Sequence, residues 1–142
     1  MITDKFLCVS NAQAVTTTAV STDTVDLGTA RDIGAGENLY MNFTVGTAFA
    51  GGTSTEFQVI SSASADLSSP TVIGSSGAVA TAGLTAGKRL AVRVNPTING
   101  NGQRYFGARY VVVGTNSAGT VTADVVHGVQ DQKSYASGFT VA

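Results

Sequence analysis

The sequence predicts an all-β protein, an antiparallel jelly roll or β-sandwich of about eight strands with minimal helix. Apolar and polar residues alternate with a period of two in several segments, and turn residues separate those segments. No segment shows a sustained apolar period of about 3.6 residues, which a helix would require. The 142 residues suffice for one domain that buries roughly two thirds of its unfolded surface.

The clearest strand signals lie in the middle and near the end of the chain. In LYMNFTV (39–45), apolar side chains alternate with Tyr40, Asn42 and Thr44. KRLAVRVN and RYFGARYVVV show the same period, and the second has both faces occupied. We predict strands near residues 5–10, 14–20, 38–47, 55–62, 71–74, 88–95, 104–114 and 119–129, with a further short pairing near 24–27.

Glycine-rich and polar stretches predict the turns between these strands. The main turn signals are Gly34 and Gly36, Gly51-Gly52, Ser69-Pro70, Gly74 to Gly77, Gly83 and Gly87, NPTINGNG, and GTNSAG. The segment VVVGTNSAGTVTADVV predicts a hairpin, in which 104–114 pairs antiparallel with 119–129. We expect a single β-sandwich (jelly-roll) domain over 1–142, with terminal arms at about 1–5 and 131–142.

The composition argues against several classes of function. Charged residues make up 12% of the chain and the formal net charge is −1, so electrostatic attraction to nucleic acid or to an anionic membrane is not expected. No apolar run approaches the ~18 residues of a membrane span, and no signal peptide is visible. We therefore expect the protein to be made and used in a cytoplasm or to leave the cell inside a larger assembly.

Two glycine loops superficially resemble phosphate-binding loops. GAGENLYMNFTV runs into a strand rather than a helix, and Asp32 and Glu37 beside it would repel an anion. GLTAGKR has one residue too few between its glycines, and Arg89 stands where a magnesium-binding Ser or Thr is needed. Both loops are interpreted as turns, and no cofactor is predicted.

The sequence offers little for catalysis or metal binding. His127 is the single histidine and falls in phase with an apolar strand face, so we expect it to pack rather than to act as a base. Cys8 lies in the apolar run FLCV, which predicts a small buried side chain, and a single cysteine excludes an intrachain disulfide. Most of the acids lie in or beside turns, and no catalytic serine motif or calcium loop is present. We expect no enzyme activity.

Arginine and tyrosine provide the best candidates for binding. Arg89, Arg93, Arg104 and Arg109 lie on strands that we predict to be adjacent, so we expect a local basic patch. Arginine and tyrosine are enriched at protein interfaces, which favours a protein partner. The tentative protein-contact residues are Arg31, Asp32, Arg89, Arg93, Tyr105 and Arg109.

Several segments, in collinear order, resemble the small capsid cement proteins of tailed phages, of the Bordetella podovirus type. SNAQAVT and DLGTARDIGAGE carry most of the resemblance, and GKRLAVRV, RYFGARYVVV and GTVTADVV continue it. The resemblance implies a jelly-roll homo-oligomer, with a dimer as the first expectation. It also implies a place on the outside of an icosahedral shell, bridging copies of the major capsid protein.

Two other functions remain open from the sequence. One is a carbohydrate- or receptor-binding β-sandwich of a phage tail or cell surface, although the chain has no Trp for a sugar platform. The other is a small hydrolase on a jelly-roll scaffold, for which the sequence shows no site. A structural virion protein is the preferred interpretation.

Overall fold

The computed structural model describes residues 3–31, 38–94 and 103–129, which form a sandwich of two antiparallel β-sheets. This confirms the predicted fold class. Helical structure in this part of the chain consists of two 3-10 turns, Lys5–Leu7 and Thr81–Gly83. The strands are β1 (Cys8–Ala14), β2 (Ala19–Val20), β3 (Val25–Asp26), β4 (Leu39–Val45), β5 (Ser54–Ser62), β6 (Thr71–Ala80), β7 (Arg89–Arg93), β8 (Tyr105–Val113) and β9 (Thr120–His127).

The order of the strands is that of a jelly roll. Sheet 1 has the order β1-β9-β4-β7, and sheet 2 has the order β2-β8-β5-β6, with the short β3 also pairing with β8. Every pairing of these strands is antiparallel. Most connections carry the chain from one sheet to the other, and among the described strands only β5 and β6 pair with each other as consecutive neighbours.

Aromatic rings fill the core between the two sheets. The Phe57 ring centroid lies 5.3 Å from that of Phe43, 6.2 Å from that of Phe49 and 5.9 Å from that of Tyr110. Phe43, Phe57 and Tyr110 are fully buried. Such tilted and edge-on ring pairs add to the free energy gained by burying the rings themselves. The alternation in 39–45 therefore reflects one face of β4 turned into this core.

A loop outside sheet 2 forms a second, smaller buried region. Leu67 is 1% exposed and lies against Gly107 of β8, where a Cβ atom would stand 2.6 Å from Leu67 Cδ1. The Ser62 hydroxyl holds the loop by donating to the Ser68 carbonyl at 2.6 Å. Gly107 is thus required by the close approach of the leucine, in the middle of a strand that otherwise favours large side chains.

The predicted hairpin between residues 104–114 and 119–129 is wrong. β8 lies in sheet 2 between β2 and β5, whereas β9 lies in sheet 1 between β1 and β4. Each strand already has neighbours on both sides, and the connection between them crosses from one sheet to the other. Consecutive strands at this position of a jelly roll belong to opposite sheets.

Hydrogen bonds to other loops hold this connection, residues 114–119, as a corner. Asn116 N donates to the Thr16 carbonyl at 2.8 Å, and Ser117 N donates to the Ala50 carbonyl at 2.8 Å. The buried Asn116 side chain donates from Nδ2 to the Val15 carbonyl at 3.0 Å. These bonds give the three donors partners in other segments, whereas Asn116 Oδ1 is buried without a hydrogen-bond partner among the described residues.

Several predicted boundaries also change. The strand predicted at 14–20 is reduced to the two residues of β2, and the segment 5–10 begins with a 3-10 turn. The turn predicted at Gly74 to Gly77 is wrong, because β6 continues to Ala80 with register irregularities against β5. A Cβ at Gly74 would lie 2.6 Å from the Arg93 carbonyl, so this glycine serves a close approach of β6 to β7 rather than a turn.

Some predictions concern residues that the structure does not describe. They are the turns at Gly34 and Gly36 and at NPTINGNG, residues 1–2 of the N-terminal arm, and the C-terminal arm at 131–142.

Candidate functional site

The predicted contact residues are divided between the two sheets. Arg89 and Arg93 lie on β7 at the edge of sheet 1, whereas Tyr105 and Arg109 lie on β8 in sheet 2. The prediction of one basic patch on adjacent strands is therefore wrong. Strands β7 and β8 follow each other in a jelly roll and consequently belong to opposite sheets. The structure provides two surfaces to consider instead of one.

The remaining two contact candidates lie in or beside the loop after β3. Arg31 is exposed, and its Nη2 lies 3.4 Å from Thr29 Oγ1. Asp32 and the rest of the loop through Glu37 fall outside the described residues.

The outer surface of sheet 1 carries polar groups that are unusually well buried. Asn42 of β4 lies opposite Asp124 of β9, and the two residues are 1% and 8% exposed. Asn42 Nδ2 lies 3.2 Å from Thr44 Oγ1. Within the described segments, Asn42 Oδ1 and Arg89 Nε are buried without a hydrogen-bond partner. Such groups are uncommon in folded proteins, and they leave this surface with one acceptor and one donor that the fold does not use.

An open depression of about 400 Å³ adjoins this surface where β9 ends. His127, at its rim, is exposed, so the prediction that it packs with the apolar face of its strand is wrong. His127 is the last residue of β9 and pairs in register with Leu39, the first residue of β4. The side chain thus lies at the margin of the sheet, beyond the buried part of the strand. The depression is lined by Asn38, Tyr40, Ala91, His127, Gly128 and Val129.

The outer surface of sheet 2 has a carboxylate whose hydrogen bonds are supplied by its neighbours. Glu56 Oε1 accepts from Ser75 Oγ at 2.6 Å and from Gln58 Nε2 at 2.8 Å. The bond from Ser75, followed by that from Gln58, lowers the pKa of Glu56, and the charge of Arg109 contributes in the same direction. A general acid needs a raised pKa, so this carboxylate is suited to structure rather than to proton transfer.

A second acid is paired at the end of sheet 2. Arg104 Nε and Nη2 each donate at 2.8 Å to one oxygen of Asp26, and the Arg104 guanidinium carbon lies 5.1 Å from the centroid of the Tyr105 ring. The hydrogen bond from Arg104, with that from the Gly28 amide, lowers the pKa of Asp26 to about 2. This arrangement ties the short β3 to β8 and covers part of the contact candidate Tyr105.

The corner before β1 has an exposed aromatic side chain that the sequence analysis did not single out. Phe6 is 89% exposed, although it stands in the apolar run FLCV. An open depression of about 350 Å³ lies beside it, lined by Lys5, Phe6, Cys8, Asp23 and Thr24. We call these five residues the Phe6 corner. The only sequence signal was an apolar residue at the margin of a strand, which ordinarily predicts burial.

Cys8, within this corner, is half-buried rather than fully buried as predicted. Its Sγ lies 3.3 Å from the Ser10 carbonyl. Burial, followed by the hydrogen bond and charge of Asp124, raises the pKa of the thiol to about 11. The thiol is therefore protonated at neutral pH, and a protonated thiol is a poor nucleophile and metal ligand.

The described residues contain no group of three or more His, Cys, Asp or Glu side chains arranged to hold a metal ion. In the same residues, no helix is long and apolar enough to cross a membrane. The polar groups described above are instead spread over both outer surfaces and the Phe6 corner.

Comparison with known proteins gives one family match. No curated protein matches the chain. The model of the Bbp16 family matches residues 9–125, from the second residue of β1 to within β9, and thus spans both sheets of the sandwich. The family name is consistent with a phage protein and agrees with the resemblance noted in the sequence. By this match over most of its length, the chain belongs to the Bbp16 family.

Proposed function

We propose that the protein is a structural component of a phage virion that decorates the outside of the capsid. It bridges neighbouring copies of the major capsid protein and thereby stabilises the shell. The observation that carries this proposal is the Bbp16 family match across the sandwich, read together with the sequence resemblance to phage cement proteins. It is made in the cytoplasm of the bacterial host and acts as a homo-oligomer without a cofactor, an enzyme activity or a nucleic-acid or membrane partner.

The chemistry of the surface supports attachment through neutral contacts. Charged residues are 12% of the chain, and the acids Glu56 and Asp26 are already engaged by their own neighbours. Contacts of this kind depend on shape and on neutral hydrogen bonds, so added salt screens them little. We expect shell binding to change less than threefold between about 50 mM and 500 mM salt.

Cementing works through several contacts at once. A subunit that touches two or more shell subunits rebinds at one contact while another holds, so modest contacts together give slow dissociation. Binding should therefore require assembled shells and should be weak to isolated capsid protein. A rigid sandwich suits this role because its contact residues need little ordering on docking.

The two surfaces that hold the contact candidates provide a matched test. One double variant, R89A/R93A, removes side-chain packing and hydrogen-bond donors from sheet 1, and the other, Y105A/R109A, removes them from sheet 2. A docked subunit turns one sheet toward the shell, so one double variant should lose at least tenfold in affinity while the other retains it. Co-sedimentation with shells of the major capsid protein from the same phage measures both.

Two outcomes would count against the proposal. If the wild-type protein stays in the supernatant with expanded shells at tens of micromolar, the capsid function is wrong. If it pellets but both double variants bind like the wild type, the assignment of contact residues is wrong and attachment must be sought elsewhere.

Two of the tyrosines in the described segments are poorly placed for the alternative of a carbohydrate-binding module. Arg104 already lies over the Tyr105 ring, and Tyr40 is half-buried in the outer surface of sheet 1. Sugar platforms need open aromatic faces. Binding of the isolated protein on a glycan panel would reverse this preference.

A further inference from the structure

The most exposed large apolar side chain among the described residues projects from a hydrogen-bonded turn. Phe6 is 89% exposed and lies in the middle of the 3-10 turn Lys5–Leu7. Asp4 caps this turn, since its Oδ1 accepts from Phe6 N at 3.0 Å and its carbonyl accepts from Leu7 N at 3.0 Å. Because the cap already orders the backbone of the turn, binding of the ring costs little additional backbone freedom.

The same corner offers a space that fits such a ring. The depression beside Phe6 measures about 350 Å³, and a cavity of roughly 150 Å³ is enough for benzene in a protein interior. The thiol of Cys8 and the side chain of Thr24, both half-buried, contribute part of its lining. A projecting ring and a receiving depression therefore lie side by side on one surface.

Opposite charges flank this pair. Lys5 and Asp23 line the depression and are both exposed. The one salt bridge within the described segments joins Arg104 and Asp26, so Lys5 and Asp23 do not pair with each other. Asp4, the remaining acid of the turn, is occupied as the cap.

We propose that the Phe6 corner is the surface through which two copies of this chain associate around a two-fold axis. Phe6 of each copy enters the depression of the other, and Lys5 of each copy faces the partner's Asp23. A two-fold interface places the same patch against itself, so it requires a projection, a recess and complementary charges within one patch. The Phe6 corner has all three, which favours a second copy over a different protein as the occupant.

This inference deepens the proposed function, because it rests on the homo-oligomer of that proposal and names the surface that forms it. Phe6 acts as the aromatic anchor of the interface, and the two Lys5–Asp23 pairs fix the register. Analytical ultracentrifugation of the purified protein tests the interface without any shell, so the two ideas fail separately.

The first variant is Phe6→Ala, with Val113→Ala as the matched control, because Val113 is also exposed, at 53%, but lies on β8. We expect the wild type to form a dimer whose dissociation constant rises at least thirtyfold in Phe6→Ala and changes less than threefold in Val113→Ala. The melting temperature of the monomer, measured at high dilution, should be the same for all three proteins.

A charge exchange tests the register. Lys5→Glu and Asp23→Lys should each weaken association at least fivefold, because each places like charges opposite one another. The double variant K5E/D23K should restore at least half of the lost affinity on a logarithmic scale. If the single variants bound weakly because they were insoluble or misfolded, combining them would not restore binding.

Two results would overturn the proposal. One is a wild type that remains monomeric up to about 1 mM, and the other is a dimer that Phe6→Ala leaves intact. If that intact Phe6→Ala dimer also no longer pellets with shells, the corner is assigned to the capsid protein instead. A dimer that breaks as expected, together with no shell binding by the wild type, would keep this interface and refute the capsid function.

Discussion

Two corners of the sandwich invert the usual rule of burial in opposite ways. In the loop 114–119, an asparagine is 2% exposed, whereas at the Phe6 corner a phenylalanine is 89% exposed. We call the first of these the Asn116 corner, and it includes Gly51, which lies against Ser117, and Gly119, which lies against the Phe49 ring. The two corners differ in whether the fold itself explains the inversion.

At the Asn116 corner the fold accounts for the buried side-chain nitrogen, while Oδ1 is buried without a hydrogen-bond partner in the part of the chain that the structure describes. The side chain donates to the Val15 carbonyl and contacts Thr55 Oγ1, and so it satisfies polar groups of two other segments. At the Phe6 corner no internal contact requires a phenylalanine, because most of its surface faces solvent. The comparison teaches that the buried asparagine is tied to contacts within the fold, while the exposed phenylalanine has no such contact within the described segments to account for it.

The largest effect is expected at the Asn116 corner, for Gly119→Ala. Gly119 has a φ of +145°, and a Cβ atom there would stand 2.8 Å from two ring atoms of the buried Phe49. Strain and overpacking together should lower the free energy of unfolding by about 3 kcal/mol. Urea denaturation measures this loss of free energy of unfolding.

Gly87→Ala is the control, because its φ is +79° but nothing lies within 4 Å of the added atom. This variant should lose about 1 kcal/mol of unfolding free energy. Equal losses would show that packing against Phe49 is unimportant.

A smaller loss is expected for Asn116→Ala. The substitution removes the bond to the Val15 carbonyl, 3.0 Å long, and leaves that carbonyl unpaired. Such a deletion lowers the free energy of unfolding by about 2 kcal/mol. The exposed Asn11→Ala should change it by less than about 0.5 kcal/mol in the same denaturation experiment. If the two variants behave alike, the network does not hold this corner.

The smallest effect is expected next to the Phe6 corner, where Arg104 and Asp26 tie β3 to β8. The pairing lowers the pKa of Asp26 to about 2 from its ordinary value of 3.8. A lowered pKa stabilises the folded state above pH 3.8, and this contribution is lost as the pH falls toward 2. The melting temperature of the wild type should exceed that of Asp26→Asn at pH 5, and the difference should shrink as the pH falls, with most of it lost by pH 2. The difference will be small because both side chains are almost half exposed. A difference as large at pH 2 as at pH 5 would contradict this interpretation.

Much of the fold could be predicted from the sequence. The alternation that turns Phe43 and its neighbours inward identified β4, and the same signal identified β7 and β8. Strands at the positions of β5 and β9 were also predicted. The second half of β6 was missed, because a GSSG segment carries turn residues whether it bends or, as here, forms an edge strand paired with β5. Local propensity cannot reveal that distant partner.

The arrangement of the strands was less accessible. The hairpin between β8 and β9 was wrong because a glycine-rich connection does not specify whether it joins neighbours in a ladder or crosses to the opposite sheet. For the same reason, the sequence predicted that Arg93 and Arg109 share one basic patch, although they lie in different sheets. Phe6 was overlooked because its residue type predicts burial. Strand patterns were thus readable from local sequence, and surfaces built from several strands were not.

The most direct test of the central claim is the temperature at which shells rupture, measured by light scattering with and without the purified protein. We expect the rupture temperature to rise by several degrees and to stop rising when the exterior sites are filled, because a bridge between subunits is broken only when the shell breaks. Shells that bind the protein yet rupture at an unchanged temperature would contradict a cementing function.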